Sequence, residues 1–173
     1  DNVQLYDGDL CLMDSTGART RFAPKDYLTY IAEETAEWTW LKFPYMKKAG
    51  GLKLEGEKPL GLYRTNALAR VNVANGFATP LAQKELEIFR KEFGSPAHLV
   101  CLYHWARLME LVYCCERAEE LLNDPEITGR EVRLASIAPK AGEGIGHVEA
   151  PRGTLVYHIR TDDEGMVTMA NII

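Results

Sequence analysis

The most apolar stretch of the chain, residues 99–115, limits the possible folds more than any other feature. Fourteen of these 17 residues are apolar, and the exceptions His104, Arg107 and Glu110 are spaced three apart. That spacing places the polar side chains on one side of a helix and apolar side chains on all other sides. We therefore predict a helix over residues 99–122 that is buried on most sides across residues 99–115. Two charges in 17 residues exclude a membrane span, which needs about 20 apolar residues.

The polar side of this helix has two interpretations. His104, Arg107 and Glu110 can form a proton path, or they can form a polar seam whose hydrogen bonds are satisfied inside a bundle. The second interpretation is favoured, because buried polar groups are normally paired.

Composition supports one domain with a substantial core. The chain has 173 residues, of which 46% are apolar, and its formal net charge is −5. There is no basic excess to neutralise phosphates, so a nucleic-acid partner is not expected. The whole of residues 1–173 is expected to be a single fragment, cut at both ends from a longer protein.

The four cysteines point to a reducing compartment. Cys11, Cys101, Cys114 and Cys115 show no C-x-x-C spacing, and two of them are adjacent. This arrangement suits neither a disulfide framework nor a zinc site, and the four histidines lack metal-ligand spacing. We expect no signal peptide, because no basic segment followed by an apolar one opens the sequence. A cytoplasmic location is expected.

The remaining pattern predicts an α+β, mainly helical fold, with the central helix in a bundle. A small β-meander is expected over residues 3–22, and a hairpin over residues 154–173. Further predictions are a helix over residues 25–40, a loop over residues 42–66 and a helix from Pro80 to Phe93.

A glycine-rich segment, residues 142–146, precedes a second notable motif. The glycines lack the context of a dinucleotide or P-loop motif, so we expect them to permit a close backbone approach. The motif that follows is Glu149-Ala150-Pro151-Arg152-Gly153. Its proline and glycine present the arginine from a stiff, narrow turn. Such a guanidinium can hold an anionic or polar ligand, or it can tie down neighbouring carbonyls and Glu149.

This motif and the residues after it, through His158, resemble a motif of the large subunit of nickel-iron hydrogenases. The resemblance is to the cytoplasmic, bidirectional or F420-non-reducing type. Other segments resemble the same family in the same order: Trp38-Thr-Trp-Leu-Lys-Phe-Pro-Tyr45, Tyr63-Arg64 with Leu68-Ala69-Arg70-Val71-Asn72, Tyr103-His-Trp-Ala-Arg-Leu108, and the closing Asn171-Ile-Ile173.

The resemblance implies a site as well as a fold. Members hold a nickel-iron centre with diatomic ligands through two C-x-x-C motifs, which this chain lacks, so no metal is expected in the fragment itself. Arg152 would take the family's catalytic role over the open side of the metal pair. Ala150 and Pro151 would line the ligand pocket.

The resemblance also implies a function. The chain would be a segment of the catalytic subunit of a nickel-iron hydrogenase, which cleaves H2 reversibly and passes electrons to an iron-sulfur small subunit and further electron-transfer subunits. The acceptor stays open between NAD, F420 and a heterodisulfide reductase. The alternative is a non-catalytic scaffold or interaction subunit that has lost its metal.

Overall fold

The computed structural model describes residues 2–133 and 136–173, and these ranges contain seven strands and four α-helices. The strands are β1 (Leu10–Met13), β2 (Arg19–Phe22), β3 (Ile31–Thr35), β4 (Lys42–Met46), β5 (Gly142–Ala150), β6 (Gly153–Thr161) and β7 (Val167–Ile172). The helices are α1 (Tyr27–Tyr30), α2 (Ala67–Val73), α3 (Pro80–Phe93) and α4 (Leu102–Leu122). No helix in the described ranges is long and apolar enough to cross a membrane.

All strand pairing in the described ranges is antiparallel. β1 pairs with β2 and β3 pairs with β4, as two separate hairpins, while β5, β6 and β7 form a three-stranded sheet with β6 in the centre. The predicted hairpin over residues 154–173 is confirmed as β6–β7. The turn Asp162–Gly165 closes it, with the Asp162 carboxylate accepting from the backbone N–H groups of Glu164 and Met166.

The main core lies where α2 and α3 pack on α4. Leu68, Leu86, Ala106 and Met109 are fully buried there. Helix α3 follows its predicted bounds because its apolar residues repeat on one face. Its N-terminus is capped from α4: the Glu116 carboxylate accepts hydrogen bonds from the backbone N–H groups of Leu81 and Ala82, at 2.9 and 3.0 Å.

A smaller core joins the hairpins to the three-stranded sheet. Phe22, Tyr27, Ile31 and Val156 form its buried centre. These residues come from β2, α1, β3 and β6, so the cluster holds the N-terminal third of the chain against the C-terminal sheet.

Helix α4 has its predicted end, but its predicted burial is wrong. Leu102, Met109 and Tyr113 are buried, whereas Leu108 and Leu111 are 61% and 58% exposed. The buried stripe therefore covers one face only. The predicted polar seam is wrong as well: His104 and Arg107 are exposed, while Glu110 belongs to the buried face of α4. Glu110 lies there because it pairs with an arginine of α2.

The mainly helical fold class is wrong. About 33% of the chain is helix and 27% is strand, so strands carry a comparable share of the fold. The largest single error is the predicted helix over residues 25–40. Only Tyr27–Tyr30 is α-helical, and Ile31–Thr35 instead pairs with Lys42–Met46. Tertiary strand pairing overrides a helical apolar pattern in a segment with weak helix propensity.

Three smaller expectations also fail. Residues 3–6 form no strand of the β1–β2 hairpin, so the predicted meander is a two-stranded hairpin. The predicted loop over residues 42–66 begins with β4. The glycine-rich segment belongs to β5, and a Cβ added at Gly144 or Gly146 would meet no atom within 4 Å. Those two glycines face open space rather than a close approach.

Candidate functional site

The Glu149–Gly153 motif forms the tip of the β5–β6 hairpin. Ala150 pairs with Gly153 in the strand register, which leaves Pro151 and Arg152 as a two-residue loop. Gly153 has φ +153°, and a Cβ at that position would lie 2.6 Å from the Thr65 hydroxyl oxygen. Proline fixes the entry of the turn, and only glycine suits its exit.

A buried arginine from α2 lies beneath this turn. Arg70 is 7% exposed, and its Nη1 donates to the Glu149 Oε2 at 2.7 Å and to the Ala150 carbonyl oxygen at 3.0 Å. Its Nε and Nη2 donate to the two carboxylate oxygens of Glu110, at 2.5 and 2.8 Å. Arg70 therefore joins α2, α4 and the end of β5 through one planar group.

The electrostatics of this network favour a permanent charge on the arginine. Burial lowers the pKa of Arg70, but the hydrogen bonds and charges of Glu110 and Glu149 outweigh burial and raise it overall. One guanidinium thus faces two carboxyl groups. Thr154 satisfies the other Glu149 oxygen, since its hydroxyl donates to Oε1 at 2.6 Å.

Two contacts anchor the rest of the turn. The backbone N–H of Glu149 donates to the Leu5 carbonyl oxygen at 2.6 Å. On the other side, Thr65 and Asn66 lie so close to Gly153 that a Cβ added there would come within 2.6 and 3.8 Å of them. Asn66 caps α2, with its side chain accepting from the Leu68 N–H at 3.4 Å. The turn and the start of α2 are therefore packed together.

The three residues selected from the sequence lie together in this turn but differ in environment. Arg152 and Pro151 are exposed, and Ala150 is half-buried. The Arg152 side chain forms no hydrogen bond or ion pair with the described residues. The arginine that ties down the Ala150 carbonyl and Glu149 is Arg70, not Arg152.

The sequence did not predict that Arg70 and Glu110 form an ion pair. A signal for Glu110 was present, because it is a charge inside the most apolar helix. No sequence signal connects it to Arg70, which lies 40 residues earlier. A cleft of about 1570 Å³ opens beside the pair, with Arg70, Glu149 and Thr154 on its wall.

A second polar cluster crosses the smaller core. The Tyr27 hydroxyl lies 3.1 Å from His158 Nδ1, and His158 Nε2 lies 2.6 Å from Glu143 Oε1. Asn171 Nδ2 donates to the same tyrosine oxygen at 3.3 Å. The hydrogen bond from His158, followed by that from Arg160, holds the pKa of Glu143 below its ordinary value.

The cysteines do not cluster. Cys11 is half-buried in β1, whereas Cys101, Cys114 and Cys115 are exposed at or on α4, and all four are free thiols. Burial, followed by the charge of Glu110, raises the pKa of Cys114, which disfavours its thiolate. In residues 2–133 and 136–173, no group of three or more His, Cys, Asp or Glu side chains is arranged to hold a metal ion.

Comparison with known proteins identifies relatives for almost the whole chain. It is 46% identical over 155 residues to a vhu subunit of the F420-non-reducing hydrogenase of Methanococcus voltae, covering 90% of this chain. It is 43% identical over 173 residues to an iron-sulfur subunit of the F420-non-reducing hydrogenase of Archaeoglobus profundus, covering 99% of this chain. The chain is similar to hydrogenase subunits.

A solved structure agrees with this similarity. The NAD+-reducing NiFe-hydrogenase in its H2-reduced state matches 99% of this chain and 37% of its own, with a TM-score of 0.85 and 34% identity. The chain spans about 35% of the length of the curated relatives it matches. No protein-family model matches it.

These findings correct the assignment to a large catalytic subunit. The Archaeoglobus relative is an iron-sulfur subunit by name, and the Methanococcus relative belongs to a hydrogenase of the same F420-non-reducing type. The nickel-iron centre expected in the full-length parent is therefore wrong. The iron-sulfur subunit expected as a partner is instead the type of subunit that the Archaeoglobus relative of this chain is named for. The alternative of a metal-free scaffold is not supported either. The chain resembles hydrogenase subunits.

An iron-sulfur cluster does not fit the described residues. Such clusters are held by sets of cysteine thiolates, usually four of them around one cluster. Here Cys11 lies in β1, Cys101 directly precedes α4, and Cys114 and Cys115 are neighbours on α4. In the described part of the chain, no three His, Cys, Asp or Glu side chains come together to hold a metal ion. No chemistry through a cluster is assigned to these residues.

Proposed function

We propose that the chain is a segment of a hydrogenase subunit in a multi-subunit oxidoreductase. H2 would be the substrate of the complete enzyme, and electrons would pass through further subunits. The observation that carries this proposal is the similarity to hydrogenase subunits over 90% and 99% of the chain, at 46% and 43% identity. The free cysteines favour the reducing cytoplasm as the location.

The proposal includes a role for the β5–β6 turn. Arg152 binds an anionic or polar ligand of the hydrogenase, and Ala150 and Pro151 shape the surface around it. Three features support this role: Arg152 is exposed, it has no partner among the described residues, and a rigid turn presents it. A guanidinium held in this way loses little conformational freedom when it binds.

The test compares matched arginine variants in the complete hydrogenase that contains this chain. Arg152→Lys keeps the charge but not the planar donor group, so H2-dependent dye reduction per assembled complex should fall by roughly a hundredfold. Arg130→Lys, at an exposed arginine after α4, is the control and should change the rate by less than about twofold. An unchanged rate in Arg152→Lys would end the ligand-binding role. Absence of any H2-dependent activity in the wild-type complex would end the hydrogenase assignment.

A further inference from the structure

We propose that Arg70 is a positioning residue, which sets the placement of Arg152 by holding the β5–β6 turn against α2 and α4. This inference rests on the proposed role of Arg152. Arg70 divides its hydrogen-bond donors between two sets of acceptors. One guanidinium nitrogen binds both Glu149 and the Ala150 carbonyl oxygen, directly before the Pro151–Arg152 loop.

The other side of the same guanidinium is bound to the longest helix of the described residues, α4. Nε and Nη2 bind both oxygens of Glu110, and Glu110 lies on the buried face of the 21-residue helix α4. A paired two-oxygen contact defines orientation as well as distance. The planar guanidinium of Arg70 thus fixes the position of the turn relative to α4.

Stability alone is a weak reason for this network. Buried ion pairs often contribute less than well-packed apolar side chains of the same volume, because both charges lose their hydration. Here three charged side chains are buried, with exposed side-chain fractions of 8%, 9% and 13% for Arg70, Glu110 and Glu149. Such a network defines geometry, because its hydrogen bonds are directional.

The contact between Gly153 and Thr65 completes the restraint. It holds the exit of the turn against the residue that precedes the α2 cap, while Arg70 holds the entrance. One restraint comes from α2 itself, and the other comes from Thr65, directly before the α2 cap. A shift of the guanidinium would therefore move the Pro151–Arg152 loop directly.

A lysine at position 70 tests the proposal, because its single ammonium cannot bind both carboxylates and the carbonyl in one plane. In the complete hydrogenase, Arg70→Lys should lower kcat for H2-dependent dye reduction by about tenfold or more, since small misplacements of a binding group are costly. The KM for the dye should stay unchanged.

The deciding measurement combines this variant with Arg152→Lys. If Arg70 acts through Arg152, Arg70→Lys should change kcat by less than about twofold in the Arg152→Lys background, because coupled residues are not additive. Arg90→Lys is the matched control. Arg90 also binds carbonyl oxygens at the end of α2, those of Val71, Ala74 and Asn75, but it does not contact the turn. Arg90→Lys should have a small effect on kcat per assembled complex, and that effect should be the same with and without Arg152→Lys.

If Arg70→Lys fails to assemble, a milder variant still tests the positioning role. Thr154→Val keeps the side-chain shape and removes only the hydroxyl donor to Glu149. It should lower kcat about threefold alone and not at all in the Arg152→Lys background. Normal kcat in both Arg70→Lys and Thr154→Val, or a full additive loss on top of Arg152→Lys, overturns the positioning role. Normal kcat in Arg152→Lys overturns the proposed ligand-binding role instead.

Discussion

Truncation of Met109 is the sharpest test of the helical core. Met109 lies on α4 with no solvent exposure, in the cluster shared with α2 and α3. Met109→Ala removes three buried heavy atoms beyond Cβ and leaves a cavity between three helices. Helix propensity does not oppose the change, because alanine is the best helix former. Any loss of stability therefore reports packing.

The expected magnitude follows from that burial. Methionine to alanine at a fully buried site costs about 2 to 5 kcal/mol of unfolding free energy. For a chain of this size, each kcal/mol lowers the melting temperature by about 2 to 4 °C, so a cost of about 3 kcal/mol gives a shift of about 6 to 12 °C. Total stability is on the order of 5–15 kcal/mol, so the variant should still fold.

Leu111 is the matched control on the same helix. It is two residues away, apolar, and 58% exposed. Leu111→Ala should cost less than about 1 kcal/mol, because little apolar area is lost from the folded state. Urea unfolding of the purified chain, followed by circular dichroism with the slope compared between variants, measures both changes. Equal losses at Met109 and Leu111 would refute the one-sided burial of α4.

Two further predictions concern the three-stranded sheet. Gly153→Ala should destabilise the chain by about 1–3 kcal/mol in urea unfolding, because its φ is strained for alanine and its Cβ would meet Thr65. The control Gly144→Ala places its Cβ in open space and should be within about 0.5 kcal/mol of wild type. A Gly153→Ala chain as stable as Gly144→Ala would contradict the close approach of Thr65 to Gly153. The lowered pKa of Glu143 adds stability that is present above its ordinary value of 4.5 and is lost as the pH falls below it. Glu143→Gln, which keeps the contact to His158 without the charge, should flatten the loss of stability between about pH 5 and pH 3, and an unchanged pH profile would exclude this carboxylate as its source.

Local sequence predicts the bounds of several elements. Helix α3 begins at Pro80 and ends before Gly94, as expected from the proline, the apolar repeat and the glycine. The β5–β6 turn likewise follows from Pro151 and Gly153. In these places proline and glycine act on their own backbone, so a short stretch of sequence predicts where the element begins and ends, and the contacts from Glu116 and Thr65 add to that preference.

The tertiary structure decided the features that depend on distant partners. Residues 31–35 became a strand rather than a helix because they pair with β4. Leu108 and Met109 are adjacent and both apolar, yet only Met109 is buried, since α2 and α3 cover that face of α4 alone.

The polar network shows the same division most clearly. By itself, the sequence determined that Arg152 would be presented from a stiff turn, because proline and glycine act on their own backbone. It did not determine that Arg70 would meet Glu110 and Glu149, which lie 40 and 79 residues further along the chain. A buried charge requires a partner, but only the packing of α2, α4 and β5 decides which partner comes within hydrogen-bonding distance.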